Sequence, residues 1–335
     1  MSRRNRYVFS VMLIVGIAIF YWSFRTVNLK QAWLIIENAN WGWLLVALLA
    51  MGVYLLMEAI VVKVFVDTQN AKLSWGQALR VPLVEQFGNG ITPFSTGGQP
   101  MQLIALAQAG IDAGRASSIL LMKFVVYQGM IVVNFILALI VGYNYVADKL
   151  HAWALFILFG FVIHLVVIIG LLLVMYWPAF TRSIVMAILA PVKWFSKQKH
   201  QAWQQLLDEK IDNFHEESRR ISRDWGALLK TIGLTFVQLF FYNLIPYFIL
   251  LGLGATHAHI ILVTALNIII VMIISLFPIP GGAGGAEIGF GLLFSPFLSS
   301  AVLILAMMIW RLITYYFGMF AGIIAFNIDG KKERS

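Results

Sequence analysis

The sequence predicts an all-α polytopic membrane protein with about six full spans and two re-entrant helical hairpins, arranged as an inverted repeat. Three observations support this fold class. Of the 335 residues, 61% are hydrophobic and only 12% are charged, whereas about a quarter of the residues in a soluble domain are charged. Apolar runs long enough to cross a bilayer recur along the chain. Basic residues cluster in some of the segments that connect these runs and are scarce in the other connecting segments.

Composition and motifs also exclude several classes of protein. The chain has no cysteine, which excludes a secreted domain held by disulfides. Its formal net charge of +9 fits basic cytoplasmic loops of a membrane protein, so we expect no nucleic-acid partner. The sequence lacks the His-Glu-x-x-His, Gly-x-Ser-x-Gly and phosphate-binding-loop motifs, and its six histidines form no ligand cluster. We therefore expect no catalytic residues, no metal and no cofactor.

Seven apolar runs are candidates for membrane spans, because about 20 apolar residues are needed to cross a bilayer. The first run follows Arg3, Arg4 and Arg6 but has no small-residue cleavage site. We therefore interpret it as a retained first helix rather than a signal peptide. The runs are 7–24, 41–62, 117–144, 152–177, 227–252, 258–277 and 297–326.

The distribution of Lys and Arg predicts the orientation. Residues 1–7 hold three of these 24 basic residues, 63–80 hold three, 178–230 hold nine and the C-terminal tail holds three. The segments near 25–40, 145–151 and 253–257 together hold three. Because basic loops stay on the cytoplasmic side, both termini and the long loop are predicted to be cytoplasmic. Arg115 is expected to anchor its helix at that interface.

Two segments are predicted to enter and leave the membrane on the same side. Two cytoplasmic termini require an even number of crossings, yet seven runs are present. Segments 75–112 (hairpin A) and 259–296 (hairpin B) are broken by proline and clustered glycine at 92–100 and 278–287. Such residues interrupt helices, and irregular backbone survives at membrane depth only inside protein or beside a wet cavity. The alternative is seven crossings with an ordinary loop, since 258–277 is long enough to cross alone.

The predicted segments form two similar units of opposite orientation. Both breaks contain Pro-x-x-x-Gly-Gly, at 93–98 and 280–285. Inverted repeats whose broken helices meet near the midplane are typical of transporters. One unit is span 41–62, hairpin A and span 117–144; the other is span 227–252, hairpin B and span 297–326. We interpret residues 1–335 as one integral-membrane domain.

The linker 178–226 is the sizeable polar segment, and it contains an apolar stripe at helical spacing. The stripe predicts an amphipathic helix on the cytoplasmic face. This helix either covers the bundle or lies on lipid headgroups, or else forms a dimer contact or a gate. The sequence leaves these alternatives open. The stripe residues are Trp203, Leu207, Ile211, Phe214 and Ile221.

Polar residues at membrane depth are the candidate site, because inserting an ionisable side chain costs about 2.5–3.5 kcal/mol or more. Arg311 lies midway along its span and Glu287 opens the second arm of hairpin B, so the two are expected to pair. The pair is either structural, or Arg311 contacts an anionic headgroup. The second half-helix of each hairpin points a positive dipole end at the interior, which favours an anion. The candidate headgroup or translocation residues are Glu85, Asn89, Gly97, Gly98, Gln99, Gln102, Lys123, Gly284, Gly285, Glu287 and Arg311.

Other polar residues in the spans receive structural interpretations. Glu58 is expected to pair with Lys63 near the inner end of its span. Four amides are expected to form hydrogen bonds between helices. They are Asn134, Gln238, Asn243 and Asn267.

Three motifs together resemble the flippase-like membrane domain of the lysylphosphatidylglycerol synthase family, in its stand-alone bacterial form. They are TPFSTGGQPMQ at 92–102, PIPGGAGGAE at 278–287 and RLITYY at 311–316. Many relatives have Glu where this chain has Gln99, and a neutral amide supplies neither a proton nor a charge. The resemblance implies a bacterial cell-membrane protein that moves aminoacylated phospholipid made by a separate cytosolic domain. The linker 178–226 is too short for that domain, so we expect no lysyltransferase activity.

The function predicted from these observations is lipid translocation, of the flippase or scramblase type. Its partners are membrane lipids with anionic, aminoacylated or glycosylated headgroups. A second copy of the chain and a separate lipid-modifying enzyme are further candidate partners. The alternative function is that of an accessory or scaffold subunit for such an enzyme. Movement is expected to be equilibration down a gradient, or else proton-coupled through Glu287 or Glu85.

Overall fold

The computed structural model describes residues 29–67, 71–149, 154–195, 197–274, 277, 279–296 and 298–328. All the regular elements in these residues are helical. The predicted first span 7–24 and the basic C-terminal tail lie outside the described residues. The helices are α1 (Leu29–Glu37), α2 (Trp41–Asp67), α3 (Trp75–Ile91), α4 (Gly98–Gln108), α5 (Ala113–Lys149), α6 (Ala154–Tyr176), α7 (Pro178–Phe195), α8 (Lys197–Arg223), α9 (Trp225–Gly252), α10 (Ile260–Ile274), α11 (Gly285–Phe294), α12 (Ser300–Arg311) and α13 (Phe317–Asn327).

Five helical segments in the described residues are long and apolar enough to cross a membrane. They are α2, α5, α6, α9 and the continuous run Ser300–Asn327, which α12 and α13 form with a π-helical turn between them. All five were predicted, and the fold class is confirmed: the chain is an all-α polytopic membrane protein. Helix α10 has 15 residues. The residues that follow it, 275 and 276, lie outside the described residues, and the interpretation of this segment as a hairpin arm rather than a seventh crossing stays a prediction.

Each predicted hairpin contains two packed helices joined by a break. Helix α3 packs on α4, and α10 packs on α11. Helix α3 begins with a capping box, in which the Ser74 hydroxyl accepts from the Gln77 amide and the Gln77 side chain accepts from the Ser74 amide. This reciprocal pairing fixes where the first arm starts.

The two breaks begin with the same backbone conformation. Each starts with proline in a short 3-10 turn, Pro93–Ser95 in hairpin A and Pro280–Gly282 in hairpin B. Phe94 has φ 53° and ψ 19°, and the equivalent Gly281 has φ 63° and ψ 15°. The next residues also have positive φ. The breaks then differ, because Thr96 and Gly97 are helical (ψ −15° and −14°) whereas Ala283 has ψ 144° and Gly284 has φ 84°. The second helices nevertheless begin at the equivalent positions Gly98 and Gly285, so the shared Pro-x-x-x-Gly-Gly sequence produces the same first turn twice.

Packing between the two units has the exchange symmetry that the predicted repeat requires. Helix α2 packs along α9, and the turn of hairpin A contacts the turn of hairpin B. Hairpin A, through α3, packs on α13, and hairpin B, through α10, packs on the equivalent helix α5. When the two units are exchanged, the α2–α9 contact and the contact between the turns therefore map onto themselves. The α3–α13 contact maps onto the α10–α5 contact. The depth of the hairpins in the bilayer stays a prediction.

The amphipathic linker helix covers the helical bundle. Helix α8 packs against α5 and α7, and its stripe residues Ile211, Phe214 and Ile221 are buried. Leu207 is half-buried, while the side chain of Trp203 lies outside the described residues. Two helices were missing from the sequence prediction, α1 before the first described span and α7 before α8.

Candidate functional site

The turns of the two hairpins are joined through one tyrosine. The Tyr315 hydroxyl donates a hydrogen bond of 2.8 Å to the Gly90 carbonyl, at the end of the first helix of hairpin A. The same ring covers Gly281 in hairpin B so closely that a Cβ there would overlap it. Because Gly281 also has a positive φ, glycine is required on both counts. Tyr315 lies in the π-helical turn Leu312–Tyr316, a feature often found at functional sites.

The predicted contact between Arg311 and Glu287 is present. Arg311 Nε lies 2.9 Å from Glu287 Oε1, and Arg311 Nη1 donates to the Gly281 carbonyl at 2.9 Å. Glu287 Oε2 in turn accepts from the Gly284 amide at 2.6 Å. Both side chains are largely buried. The carboxylate of Glu287 therefore lies at the start of α11, where the helix dipole favours an anion.

These contacts change the site expected from the sequence. The positive end of α11 was expected to face a bound phosphate together with Arg311. It faces the protein's own carboxylate instead, and the described contacts of Arg311 Nε and Nη1 are also with the protein. The guanidinium carbon of Arg311 also lies over the Tyr315 ring, 5.1 Å from its centroid.

The start of α4 is closely packed against the first arm of hairpin A. The Gly98 amide donates to Asn89 Oδ1 at 3.0 Å, and the Gly97 amide donates to Thr92 Oγ1 at 2.7 Å. A Cβ on Gly98 would lie 2.8 Å from Glu85 Cγ, so only glycine lets the two arms approach this closely. Gln99 is half-buried, and no hydrogen bond of its side chain is found within the described residues.

A second set of buried charges lies among α2, α3 and α5. Lys123 Nζ on α5 contacts Glu58 Oε1 on α2 and lies 2.9 Å from Glu85 Oε2 on α3. The side chains of Lys123, Glu58 and Glu85 are 6%, 2% and 15% exposed. Removing one partner of such a buried pair typically costs about 3–5 kcal/mol, because the other charge stays buried.

Two amides complete this charge cluster. Gln102 Nε2 on α4 donates to Glu58 Oε1 at 3.0 Å and also contacts Glu85 Oε2. Gln238 Nε2 on α9 donates to Glu58 Oε2 at 3.3 Å. The cluster therefore joins five helices, four from the first unit and one from the second. The structure brings together Glu85, Gln102 and Lys123, three of the predicted site residues.

The buried basic residues Lys123 and Arg311 occupy nearly equivalent positions in the two units. Lys123 follows Gly98 by 25 residues, and Arg311 follows Gly285 by 26. Each cation lies in the helix after its hairpin and pairs with a carboxylate of that hairpin, Lys123 with Glu85 and Arg311 with Glu287. The predicted repeat thus extends to its cations but not to their carboxylate partners, because Glu85 lies in the first arm of its hairpin and Glu287 in the second arm.

The expectation that Glu58 pairs with Lys63 is wrong. Glu58 pairs with Lys123, whereas Lys63 lies 3.8 Å from Asp67 and donates to the Leu73 carbonyl at 2.8 Å. Residues five apart on a helix do not face each other. The signal that could have found the true pair is that ionisable residues inside spans tend to pair with one another.

The predicted interhelical amide contacts are confirmed for three of four residues. Gln238 reaches Glu58, and Asn267 Nδ2 donates to Asn243 Oδ1 at 3.0 Å. Asn134 instead donates within its own helix, to the Met130 carbonyl at 2.8 Å. Its predicted role was wrong because a helical carbonyl one turn back is within reach of a short amide.

Polar contacts hold α8 onto the bundle. Arg115 Nε on α5 lies 3.2 Å from Glu217 Oε1, and its role as an anchor at the cytoplasmic interface stays a prediction. Arg182 Nη2 on α7 lies 2.6 Å from Asp212 Oδ1. His215 Nδ1 pairs with the Met175 carbonyl at 3.0 Å, and burial lowers the pKa of His215. Within the described residues no group of His, Cys, Asp or Glu has the arrangement of a metal site.

Apolar spans, broken helical hairpins that meet at their turns and ion pairs buried between helices define an all-helical, multi-pass membrane protein. The sequence matches the family described as the lysylphosphatidylglycerol synthase TM region over residues 8–322, and the chain belongs to that family. The resemblance drawn from the three motifs is thereby confirmed. A UPF0104 membrane protein of Archaeoglobus fulgidus is 26% identical over 332 residues, which cover 96% of this chain and 97% of the relative.

Proposed function

We propose that this protein is a lipid translocase that moves a phospholipid or glycolipid headgroup across the cell membrane. The observation that carries the proposal is the contact between the two hairpin turns, which begin with the same 3-10 turn and lie beside the Arg311–Glu287 pair. Broken helices that meet in this way provide polar backbone and side chains inside the membrane, where a headgroup would otherwise find no partner.

The headgroup would pass along the hairpin turns while the acyl chains stay in the bilayer. Arg311 has N–H donors beyond the Nε and Nη1 contacts to Glu287 and Gly281, and a guanidinium suits phosphate oxygens. The half-buried side chain of Gln99 would bond polar headgroup atoms. Ordinary membrane phospholipids and glycolipids, including aminoacylated ones, share this chemistry of phosphate or hydroxyl groups beside apolar tails.

We further propose that both termini and α8 lie on the cytoplasmic side, as the distribution of basic residues indicates. Transport is proposed rather than aminoacyl transfer, because the family region that the chain matches is a transmembrane region. Candidate partners remain a second copy of the chain and a separate enzyme that makes or modifies the lipid.

The test is lipid movement in liposomes that contain the purified full-length chain. Fluorescent phospholipids and glycolipids are placed in both leaflets, and the fraction reached by an external quencher is followed with time. Wild type is expected to raise that fraction above the outer-leaflet value. Arg311→Ala and Glu287→Gln are expected to reduce the rate, while Gly291→Ala, where an added Cβ meets open space, is expected to leave it unchanged.

Two results would overturn the proposal or its site. Absence of movement with every lipid in folded wild type would contradict translocation by this chain and favour an accessory role beside a lipid-modifying enzyme. Equal rates in wild type and in both charge variants would show that the Arg311–Glu287 pair does not serve the headgroup.

A further inference from the structure

The charge cluster around Lys123 contains two carboxylates and one ammonium group. With all three groups ionised, the cluster has a formal charge of −1. Glu58 is 2% exposed and Glu85 is 15% exposed, so water does little to stabilise the excess charge. An uncompensated charge is strongly disfavoured in a helical bundle that spans a membrane.

The described groups that face the two carboxylates supply no second cation. Tyr54 and Tyr127 lie close enough to interact electrostatically with both carboxylates, and their hydroxyls carry no positive charge. The remaining neighbours are amides, which donate hydrogen bonds but do not cancel a charge. They are Asn89 on α3, Gln102 on α4 and Gln238 on α9.

A buried acceptor in the same cluster lacks a donor. Gln102 Nε2 is directed at both carboxylates, while Gln102 Oε1 is buried and has no hydrogen-bond partner among the described residues. Such an oxygen is costly to bury without a donor. A protonated carboxyl group is a donor, whereas a carboxylate is not. One added proton on the pair would therefore cancel the charge, and it would supply a donor to this oxygen once the Gln102 amide turns so that Oε1 faces the pair.

We infer that Glu58 and Glu85 together form a binding site for one exchangeable proton. On binding, an O–H bond forms between a carboxylate oxygen and a proton taken from water, and the cluster becomes neutral while Lys123 keeps one ionised partner. The proton belongs to the pair, as is usual for coupled carboxylates. Tyr127, a neighbour of the pair, also lines a cavity of about 20 Å³ beside Tyr242, Asn134 and Asn243, which is large enough for one water molecule.

Infrared difference spectroscopy of the purified full-length chain tests this site without any lipid movement. A protonated carboxyl group has a C=O stretch that an ionised one lacks. Wild type is expected to show one such band from a buried group, which disappears as the pH is raised. Both Glu58→Gln and Glu85→Gln are expected to lose the band, because either change leaves one carboxylate facing one ammonium. Since each variant keeps a balanced pair, both are expected to fold.

The control for loss of a carboxylate elsewhere is Glu217→Gln. Glu217 has a side chain that is only 10% exposed and has Arg115 and Arg220 as partners of its own, so the band is expected to persist in this variant. Three results would overturn the inference: no titrating band in wild type, a band that survives in both Glu58→Gln and Glu85→Gln, or a band that responds to sodium concentration and not to pH.

A consequence for transport rests on the proposed function. If the pair binds a proton while the headgroup passes hairpin A, a pH difference across the liposome membrane is expected to change the rate of lipid movement by wild type. Equal rates with and without the gradient would overturn this coupling. The infrared band decides the proton site separately, so failure of lipid translocation and failure of the proton site are distinguishable.

Discussion

The Tyr315 hydroxyl lies 2.8 Å from the carbonyl oxygen of Gly90, although the two residues are 225 positions apart in the chain. Gly90 is in the last turn of α3, where helical carbonyls lack partners within the helix. Tyr315, from the second unit, therefore donates to a buried carbonyl at the end of the first arm of hairpin A, while its ring covers Gly281 in hairpin B. One side chain thus holds the two hairpin turns in register.

Replacing Tyr315 with Phe should loosen the contact between the hairpin turns. The ring on Gly281 is kept, but the hydrogen bond to Gly90 is lost, so the free energy of unfolding should fall by about 1 kcal/mol. Lipid movement should slow if the register of the turns matters for transport. Both quantities are measured on purified protein, by denaturant unfolding and by the liposome assay.

The control for this change is Tyr176→Phe. Tyr176 lies at the end of α6 with an exposed ring, so loss of its hydroxyl should leave both quantities unchanged. Equal stability of Tyr315→Phe and wild type would show that the hydrogen bond to Gly90 contributes nothing measurable.

Phe94 occupies a backbone conformation that suits glycine. Its φ of 53° lies in the left-handed region, which costs an L-residue about 1–2 kcal/mol, and the equivalent residue of hairpin B is Gly281. Phe94→Gly should therefore stabilise the fold by about 0.5–1 kcal/mol, after allowing for the greater freedom of glycine in the unfolded chain. Thermal unfolding of the purified variant measures the change.

Phe94→Ala separates strain from side-chain loss. Alanine removes the same exposed ring but keeps the Cβ that disfavours positive φ, so it should give no such gain. If Phe94→Ala stabilises the protein as much as Phe94→Gly does, the backbone is not strained at this position. Slower lipid movement in both variants would assign a role to the exposed ring itself.

The fold was predictable because its signals are local. Hydrophobic runs mark the spans, and the two Pro-x-x-x-Gly-Gly segments mark the breaks, since proline and glycine restrict the backbone wherever they stand. The structure gives these two segments nearly identical dihedral angles at Phe94 and Gly281. The contact between Arg311 and Glu287 was also predictable, because they are the ionisable groups of adjacent helical segments.

The charge cluster was not predictable in full because it is assembled over long distances in the chain. Lys123 is 65 residues from Glu58, and Gln238 is 180 residues from Glu58. Which spans become neighbours depends on packing of the two units, and no local pattern encodes it. Proximity in the sequence predicts an ion pair between Glu58 and Lys63. Residues five positions apart, however, lie on different sides of a helix.

Acidification should loosen α8 through His215. Burial lowers the pKa of His215; Arg219 and Arg182 lower it further, while the Met175 carbonyl and Asp212 act in the opposite direction. The unfolded chain therefore binds this proton first, so the contribution of neutral His215 to stability is complete above about pH 6.5 and is lost as the pH falls below it. His215 Nε2 is buried and has no partner among the described residues, so a proton there would gain no acceptor.

Hydrogen–deuterium exchange of α8, corrected for the intrinsic effect of pH, measures this loosening. Exchange should rise between neutral and mildly acidic pH in wild type and should respond less in His215→Asn. His259→Asn is the control, because His259 is exposed in the loop before α10. The same pH response in wild type and in His215→Asn would assign the effect to other groups.

Paired substitutions at Arg311 and Glu287 should separate stability from transport. Each single change, Arg311→Met or Glu287→Gln, leaves one largely buried charge without its partner and should lower the free energy of unfolding by about 3–5 kcal/mol. The double variant removes both charges and should recover most of that loss, since neutral groups of similar volume are tolerated where a broken pair is not. If Arg311 binds the headgroup phosphate, the recovered protein should still fail to move lipid, because no guanidinium remains. A double variant that is stable and moves lipid at the wild-type rate would show that the pair serves the fold alone.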